Sequence, residues 1–418
     1  MQLGFIAPQE VLDIIAGIGR TEDIRFSPDR SRLAVAVITR KLIVVFDIEV
    51  RMTPAGKQVH LSTAIELSSS QLKYPHGLDF IDNETLVVAN RDGDLTLFRL
   101  PSRDGSTKGE LTLLKSLSAN DRELLGPGSV AVSRIDAQHH EFLVCRNFGN
   151  RVSRHVIATE TDYAVTEEGV LLGKWMVIPD GISIDRSRRW LAVSSHDIQS
   201  ALLYPHTPAL HAEADPTAVL RGASYPHGIR FSDDSCYILL ADAGAPYVHV
   251  YFQPDGHWQG VYDPCLSLRV MDDGLFQLGR HNPQEGGPKG LDIDCTAGIL
   301  VTTCMTQPLA FFDLDPILAS VLRSGPLDVL DGSESAPEGG LDVCHELEKQ
   351  LRHAQTVTNA ILREQQAEQR AVQTELRAAQ AELRAAHAES RVQALLASNS
   401  WRITAPLRWA LASRKRQS

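Results

Sequence analysis

The sequence predicts an all-β six-bladed propeller followed by a long α-helical coiled coil. Three observations carry this: a repeated phrase with a near-constant period, short strand-like runs inside each copy, and a C-terminal stretch without Gly or Pro. The phrase is clearest in Tyr225-Pro226-His227-Gly228-Ile229-Arg230-Phe231 and Tyr74-Pro75-His76-Gly77-Leu78-Asp79-Phe80. Variants are Pro127-Gly128-Ser129, Pro179-Asp180-Gly181 and Pro288-Lys289-Gly290, with Thr21-Glu22-Asp23 as a degenerate first copy. The glycine-equivalent position falls at 23, 77, 129, 181, 228 and 290, so the spacings are 54, 52, 52, 47 and 62. A period near fifty with several short strands per unit marks a propeller. Each unit cannot bury both faces alone and must stack on its neighbours. Six copies give six blades.

The elements follow in order. Glu10–Ala16 precedes the first copy, and segments in that position elsewhere, such as Glu110–Leu117, read as outer strands. Residues 10–16 are therefore expected as the outermost strand of the sixth blade, closing the ring and removing two open edges. Leu327–Leu330 competes for the same place. Within each copy the first strand alternates, as in Leu78 and Phe80 or Ile229 and Phe231. The second is a continuous apolar run, as in Leu86–Ala89 and Ile238–Leu240, which fits burial between two blades. Third strands are expected at Leu42–Ile48, Leu95–Leu100, Arg151–Ile157, Ala201–Tyr204, Tyr247–Phe252 and Leu309–Leu314. The longest spacing holds Asn282–Pro288, a loop expected over one mouth of the channel.

The domain boundaries are 1–323 for the propeller, 324–340 for a Gly-, Pro- and Ser-rich linker, 341–398 for the coiled coil and 399–418 for a basic tail. Residues 341–398 are rich in Ala, Glu, Leu, Arg and Gln, and the phrase Glu-Leu-Arg-Ala-Ala recurs seven residues apart at 375–379 and 382–386. The apolar stripe is narrow, which favours self-association over packing on a core. A helix of that length would extend ~87 Å.

Charge is uneven. Residues 1–340 carry 29 Lys and Arg against 44 Asp and Glu, whereas residues 399–418 carry five basic residues and no acidic ones. An acidic propeller argues against nucleic acid as a partner. No basic, then apolar, leader is visible, and no run approaches the ~20 apolar residues of a membrane span. The six cysteines lack CxxC spacing and are expected as reduced thiols of a cytoplasmic protein.

The x residues of Pro-x-Gly are Glu22, His76, Gly128, Asp180, His227 and Lys289. Each sits at one end of an innermost strand, so all six ring one mouth of the channel. Copies three apart face each other, which sets His76 against His227 and Glu22 against Asp180. Second strands return to the same face, bringing Asn90 near His76 and Asp242 near His227. Glu22, His76, Asp180 and His227 form a candidate site for a divalent metal, with Asp242 orienting His227. A polar, wet channel entrance is the plainer reading, and Lys289 would repel a cation.

These copies resemble six-bladed propellers of the gluconolactonase and regucalcin kind. Pro226–Asp234 followed by Leu240-Ala241-Asp242-Ala243-Gly244 is also similar to a repeat of phosphogluconolactonase-type propellers. The resemblance spans about residues 10–330. It implies a divalent metal at the mouth held by a Glu of the first blade, matched here by Glu22, and by residues of Pro-x-Gly turns, matched by Asp180 and His227. This chain departs at Gly128, which lacks a side chain, at His227, where an Asp is expected, and at the added His76. Imidazoles suit transition metals better than calcium.

Ser398-Asn399-Ser400-Trp401-Arg402-Ile403-Thr404-Ala405-Pro406-Leu407-Arg408-Trp409 resembles a segment that follows coiled coils in bacterial glycosyltransferases of surface-polysaccharide assembly. It implies company in that process, with Trp401, Arg402, Pro406, Arg408 and Trp409 as docking residues for a glycosyltransferase or for the inner face of a membrane. Folding back as a cap on the coil is the alternative. The leading function expected is a binding or scaffold propeller in bacterial cell-surface polysaccharide biosynthesis; the alternative is a metal-dependent lactonase-like hydrolase.

Overall fold

The computed structural model describes residues 1–103, 105–117, 126–324, 343–356, 392–394, 404 and 406–409. The chain divides into two compact units, Met1–Leu351 and Arg352–Ser418. The first is a six-bladed propeller.

Six sheets account for the six repeats. Their innermost strands are Thr21–Phe26, Pro75–Phe80, Pro127–Arg134, Pro179–Ile184, Pro226–Phe231 and Gly290–Asp294. These touch in cyclic order, and the last packs on the first, so the ring is closed. Each blade runs outward through antiparallel strands, as in Pro226–Phe231, Tyr237–Asp242, Tyr247–Phe252 and Leu266–Arg269. The continuous apolar runs form the second strands and are buried on both faces, as expected. Each of the six junctions between neighbouring blades holds its own hydrophobic cluster. Stability is therefore distributed around the ring rather than held in one core.

The ring closes through the N-terminus, but not through residues 10–16. Gln9–Ala16 is an α-helix after Pro8, not the expected strand. Val11, Ile14, Ile15 and Ile18 follow helical spacing and pack into the cluster between the sixth and first blades. The outermost strand of the sixth blade is Gln2–Leu3, paired with Phe312 and Phe311. After Gly4 the chain crosses to the first blade, where Phe5 pairs with Val59 and Ile6 with His60. Two-residue strands are too short to show alternation in a sequence. Leu327–Leu330 lies outside the described residues.

The expected coiled coil lies largely outside the described residues, as do the linker from residue 325 and the tail residues Trp401 and Arg402. Residues 343–356 are helical. Within the propeller unit, Val343 and Leu347 are fully buried against the fourth blade. Gln350 accepts a hydrogen bond from Ser200 (3.0 Å) and Glu346 lies 3.8 Å from Arg221. In the second unit, 392–394 and 406–409 are helical, which places Pro406 at the start of a helical turn with Arg408 and Trp409. No described helix is long and apolar enough to cross a membrane. All six cysteines are free thiols.

Deleting residues 1–7 removes both N-terminal strands and leaves the closing junction with a bare edge. The expected outcome is a fall in melting temperature of about 5 °C or more, read by scanning calorimetry. An unchanged transition would mean that the ring closes without this arm.

Candidate functional site

The repeat builds the site through a backbone irregularity. In five blades the ladder between the first two strands skips between the Pro, or Thr21, and the residue three further on. Such a bulge re-aims the side chain it contains. That side chain is the x residue. The following glycine has no room for a Cβ: at Gly228 it would sit 2.7 Å from the Lys289 carbonyl, and at Gly290 2.7 Å from Asp23 Cα. Strands this close deliver the x side chains to a common axis.

Glu22, His76, Asp180, His227 and Lys289 therefore meet, all buried. The His76 and His227 rings stack with centroids 5.5 Å apart. His76 Nδ1 lies 2.7 Å from the Gly128 carbonyl, which can only accept, so Nδ1 carries the hydrogen. Burial, chiefly, drives the His76 pKa down to about 3, so the ring is neutral and Nε2 holds a lone pair. His227 Nδ1 faces Asp180 Oδ2 at 2.9 Å, which leaves its Nε2 on the other side. Both Nε2 atoms face Glu22 Oε2, at 3.5 Å and 3.9 Å. Three acceptor atoms thus converge within 4.8 Å of one another.

The carboxylates are held ionised. Burial works to raise the Glu22 pKa, but the nearby charges, Lys289 foremost, outweigh it and hold the group below its usual range. Lys289 Nζ is 2.8 Å from Oε2, and Arg20 Nε is 2.5 Å from Oε1. Burial also opposes ionisation of Asp180, and the imidazoles around it, His227 first, hold it well below the usual range. Its Oδ1 accepts from Asn147 at 2.9 Å. The Asn282–Pro288 loop reaches the same mouth, where Glu285 meets Lys289 (2.9 Å) and Arg20 (3.2 Å).

The expected convergence of Glu22, His76, Asp180, His227 and Lys289 is present, but two neighbours are assigned differently. Asp242 does not orient His227. Its carboxylate accepts from the Ser224, Tyr225 and Gly244 amides and faces His249 at 3.2 Å. Asp180 orients His227 instead. The Asn90 amide is engaged in its own turn, accepting from Lys73 N and donating to Asp94 O and Thr96 Oγ1.

Below the mouth lies a second charged layer that the sequence reading missed. It is built from the position three residues beyond x. Arg25 pairs with Asp79 (2.9 Å) and lies 3.8 Å from Asp292. Arg230 lies 3.3 Å from Asp292 and 3.5 Å from Asp23. The aspartates also accept backbone N–H groups of the next blade: Asp23 from Leu78, Asp79 from Val132 and Asp292 from Phe26. Arg and Asp recurring at one repeat position was the available signal. This layer stitches the blades together beneath the mouth.

The donor set fits a metal. Two imidazoles with their hydrogens anchored elsewhere and one carboxylate match the preferences of zinc or a similar first-row ion. Asp180 behind His227 supplies the outer carboxylate that such sites use. Asp180, His196 and His227 form a second grouping, in which His227 Nδ1 and His196 Nε2 lie 2.9 Å and 3.6 Å from Asp180 Oδ2.

Solved structures of similar shape include a gluconolactonase from Xanthomonas campestris, at 14% identity over 70% of this chain and 85% of that one, with a TM-score of 0.45. The calcium-binding protein regucalcin from Agrobacterium tumefaciens is similar at 16% identity over 70% and 88%, with a TM-score of 0.41. No family model and no curated protein matches the chain. The six-bladed assignment rests on the strand order above.

The buried imidazole makes stability pH-dependent. His76 stays neutral in the fold down to about pH 3, whereas an unfolded histidine takes up its proton near the ordinary 6.5. Stability is therefore complete above that pH and is lost as pH falls from 6.5 toward 3. Ionised Glu22 and Asp180 add a further loss below their ordinary values of 4.5 and 3.8. In metal-free protein, His76→Gln should flatten the urea-unfolding profile between pH 7.5 and 5 by about 2 kcal/mol. Parallel profiles would show that His76 is not the responsible group.

Proposed function

We propose that the channel mouth is the active site of a metal-dependent lactonase-like hydrolase. The observation that carries this is the convergence of Glu22 Oε2 with the His76 and His227 Nε2 atoms, with both imidazole hydrogens directed away onto Gly128 and Asp180. Three acceptors facing one another in a buried site repel unless a cation lies among them. Lys289 supplies one positive charge from the side of Glu22. A divalent ion held by Glu22, His76 and His227 would contribute Lewis-acid activation of an ester carbonyl and of water. The chain's own residues do the rest. Asp180 and the Gly128 carbonyl set the imidazole orientation. Arg20 and Lys289 keep Glu22 ionised. The Arg25, Asp79, Arg230 and Asp292 layer lies beneath the mouth. The repeat's resemblance to gluconolactonase-like propellers supports lactones as substrates.

A binding or scaffold role in polysaccharide assembly is the second reading. The tail segment that suggested it lies mostly outside the described residues.

Purified protein should carry close to one transition-metal ion per chain and should hydrolyse members of a sugar-lactone panel, with chelation abolishing turnover. The double change His76→Ala and His227→Ala should remove the metal and leave the propeller folded. Asp180→Asn should weaken metal binding about 10–100-fold. If no zinc, manganese or iron binds at micromolar concentration, the reading falls.

A further inference from the structure

The residue that follows the last paired position of each second strand occupies one repeat position. On the second, third and fourth blades it is Arg91, Asn147 and His196; on the first, fifth and sixth it is Ile38, Ala243 and Cys304. Polarity at this position is confined to one side of the mouth. All three polar residues gather on Asp180. Asn147 Nδ2 donates to Oδ1 at 2.9 Å, Arg91 Nη1 lies 3.8 Å from Oδ1, and His196 Nε2 lies 3.6 Å from Oδ2.

Each presents a buried polar atom with no hydrogen-bond partner among the described residues: Arg91 Nη1, Asn147 Oδ1 and His196 Nδ1, while His196 Nε2 faces Asp180. His196 is 3% exposed and is fixed by the Tyr225 ring at 4.0 Å and the His227 ring at 5.4 Å. Arg91 rests over the Phe148 ring at 5.2 Å, which sets its guanidinium at the rim. Buried polar atoms in folded proteins are almost always paired, so unpaired ones in a cluster mark a place that something else completes.

We propose that Arg91, Asn147 and His196 form a wall that recognises a hydroxy-carboxylate, a small acid with a hydroxyl next to its anionic group. The proposal rests on the mouth being a ligand site, as in the preceding reading, but not on the metal. Each partner is dictated by what the atom can do. Asn147 Oδ1 only accepts, so its partner is an O–H donor. Arg91 Nη1 only donates and is charged, so its best partner is an anionic oxygen. His196 Nδ1 is completed by a hydroxyl, which can donate or accept. A polyol would leave the guanidinium with only the Asp180 carboxylate, at 3.8 Å and beyond hydrogen-bond reach, and a plain carboxylate would leave Asn147 without a donor. Ordered water is the competing occupant and would show no such selectivity.

The test uses the full chain and three four-carbon compounds: tartrate, succinate and erythritol. Binding is measured by titration calorimetry on protein as purified and after metal removal. Tartrate should bind at least tenfold more tightly than the other two in both preparations. Arg91→Gln, a change at the partly exposed rim, should bring tartrate to within a factor of about two of erythritol while the melting temperature stays unchanged. A tartrate Kd weaker than about 10 mM, equal binding of all three compounds, or an unaffected Arg91→Gln protein would overturn the proposal. Selective tartrate binding by a protein that takes up no metal would sink the hydrolase reading and leave this one standing. Metal-dependent lactone turnover without tartrate selectivity would do the reverse.

Discussion

The structure depends on how closely the innermost strands approach one another at the axis. Where one blade's Pro-x-Gly turn meets the next strand there is space for a hydrogen atom and not for a methyl group. A Cβ at Gly77 would run into Ser129 Cα and the Gly128 carbonyl, and one at Gly181 into the His227 carbonyl. Backbones at that separation leave the x side chains nowhere to go but the axis. The repeat therefore encodes two things at once: the stacking of the blades and the identity of the mouth.

The two charged layers solve the cost of burial differently. The lower layer is self-compensating, with Arg25 and Arg230 against Asp23, Asp79 and Asp292, and its carboxylates also cap the next blade's amides. Buried pairs of this kind add little net stability over an apolar core, but they are expensive to break, which favours one arrangement of blades. The upper layer is not closed in the same way. Two imidazole Nε2 atoms share one carboxylate oxygen, and around Asp180 Arg91 Nη1, Asn147 Oδ1 and His196 Nδ1 have no hydrogen-bond partner among the described residues. The difference lies in charge matching: the lower layer sets Arg against Asp and leaves only Arg25 Nε and Arg230 Nε without hydrogen bonds among the described residues, whereas the upper layer brings acceptors together.

The blades were legible because a fifty-residue period survives variation in any one copy. The mouth residues were legible for the same reason: one position, read six times, names Glu22, His76, Gly128, Asp180, His227 and Lys289. What remained hidden depended on distances. Asp242 and Asp180 are both aspartates near His227 in the repeat scheme, and only the 2.9 Å contact shows which one holds the ring. Arg91, Asn147 and His196 lie one residue past the strand ends that the sequence reading inspected. Residues 10–16 read as a strand by analogy with other outer strands, although their apolar residues follow helical spacing.

The two-residue strand Gln2–Leu3 that completes the sixth blade has a temporal meaning. Its partner, Ala310–Asp313, is made some three hundred residues later. At synthesis rates of roughly 5–20 residues per second, the first strand waits about 15–60 s for the last. During that interval the first blade stands with its closing face open to water, and Ile24, Val35 and Val44 have no sixth blade to cover them. Ring closure is thus a late event of very high contact order. The nascent chain carries a sticky, half-built arc for most of its synthesis, the period in which it is most exposed to aggregation and most in need of a chaperone.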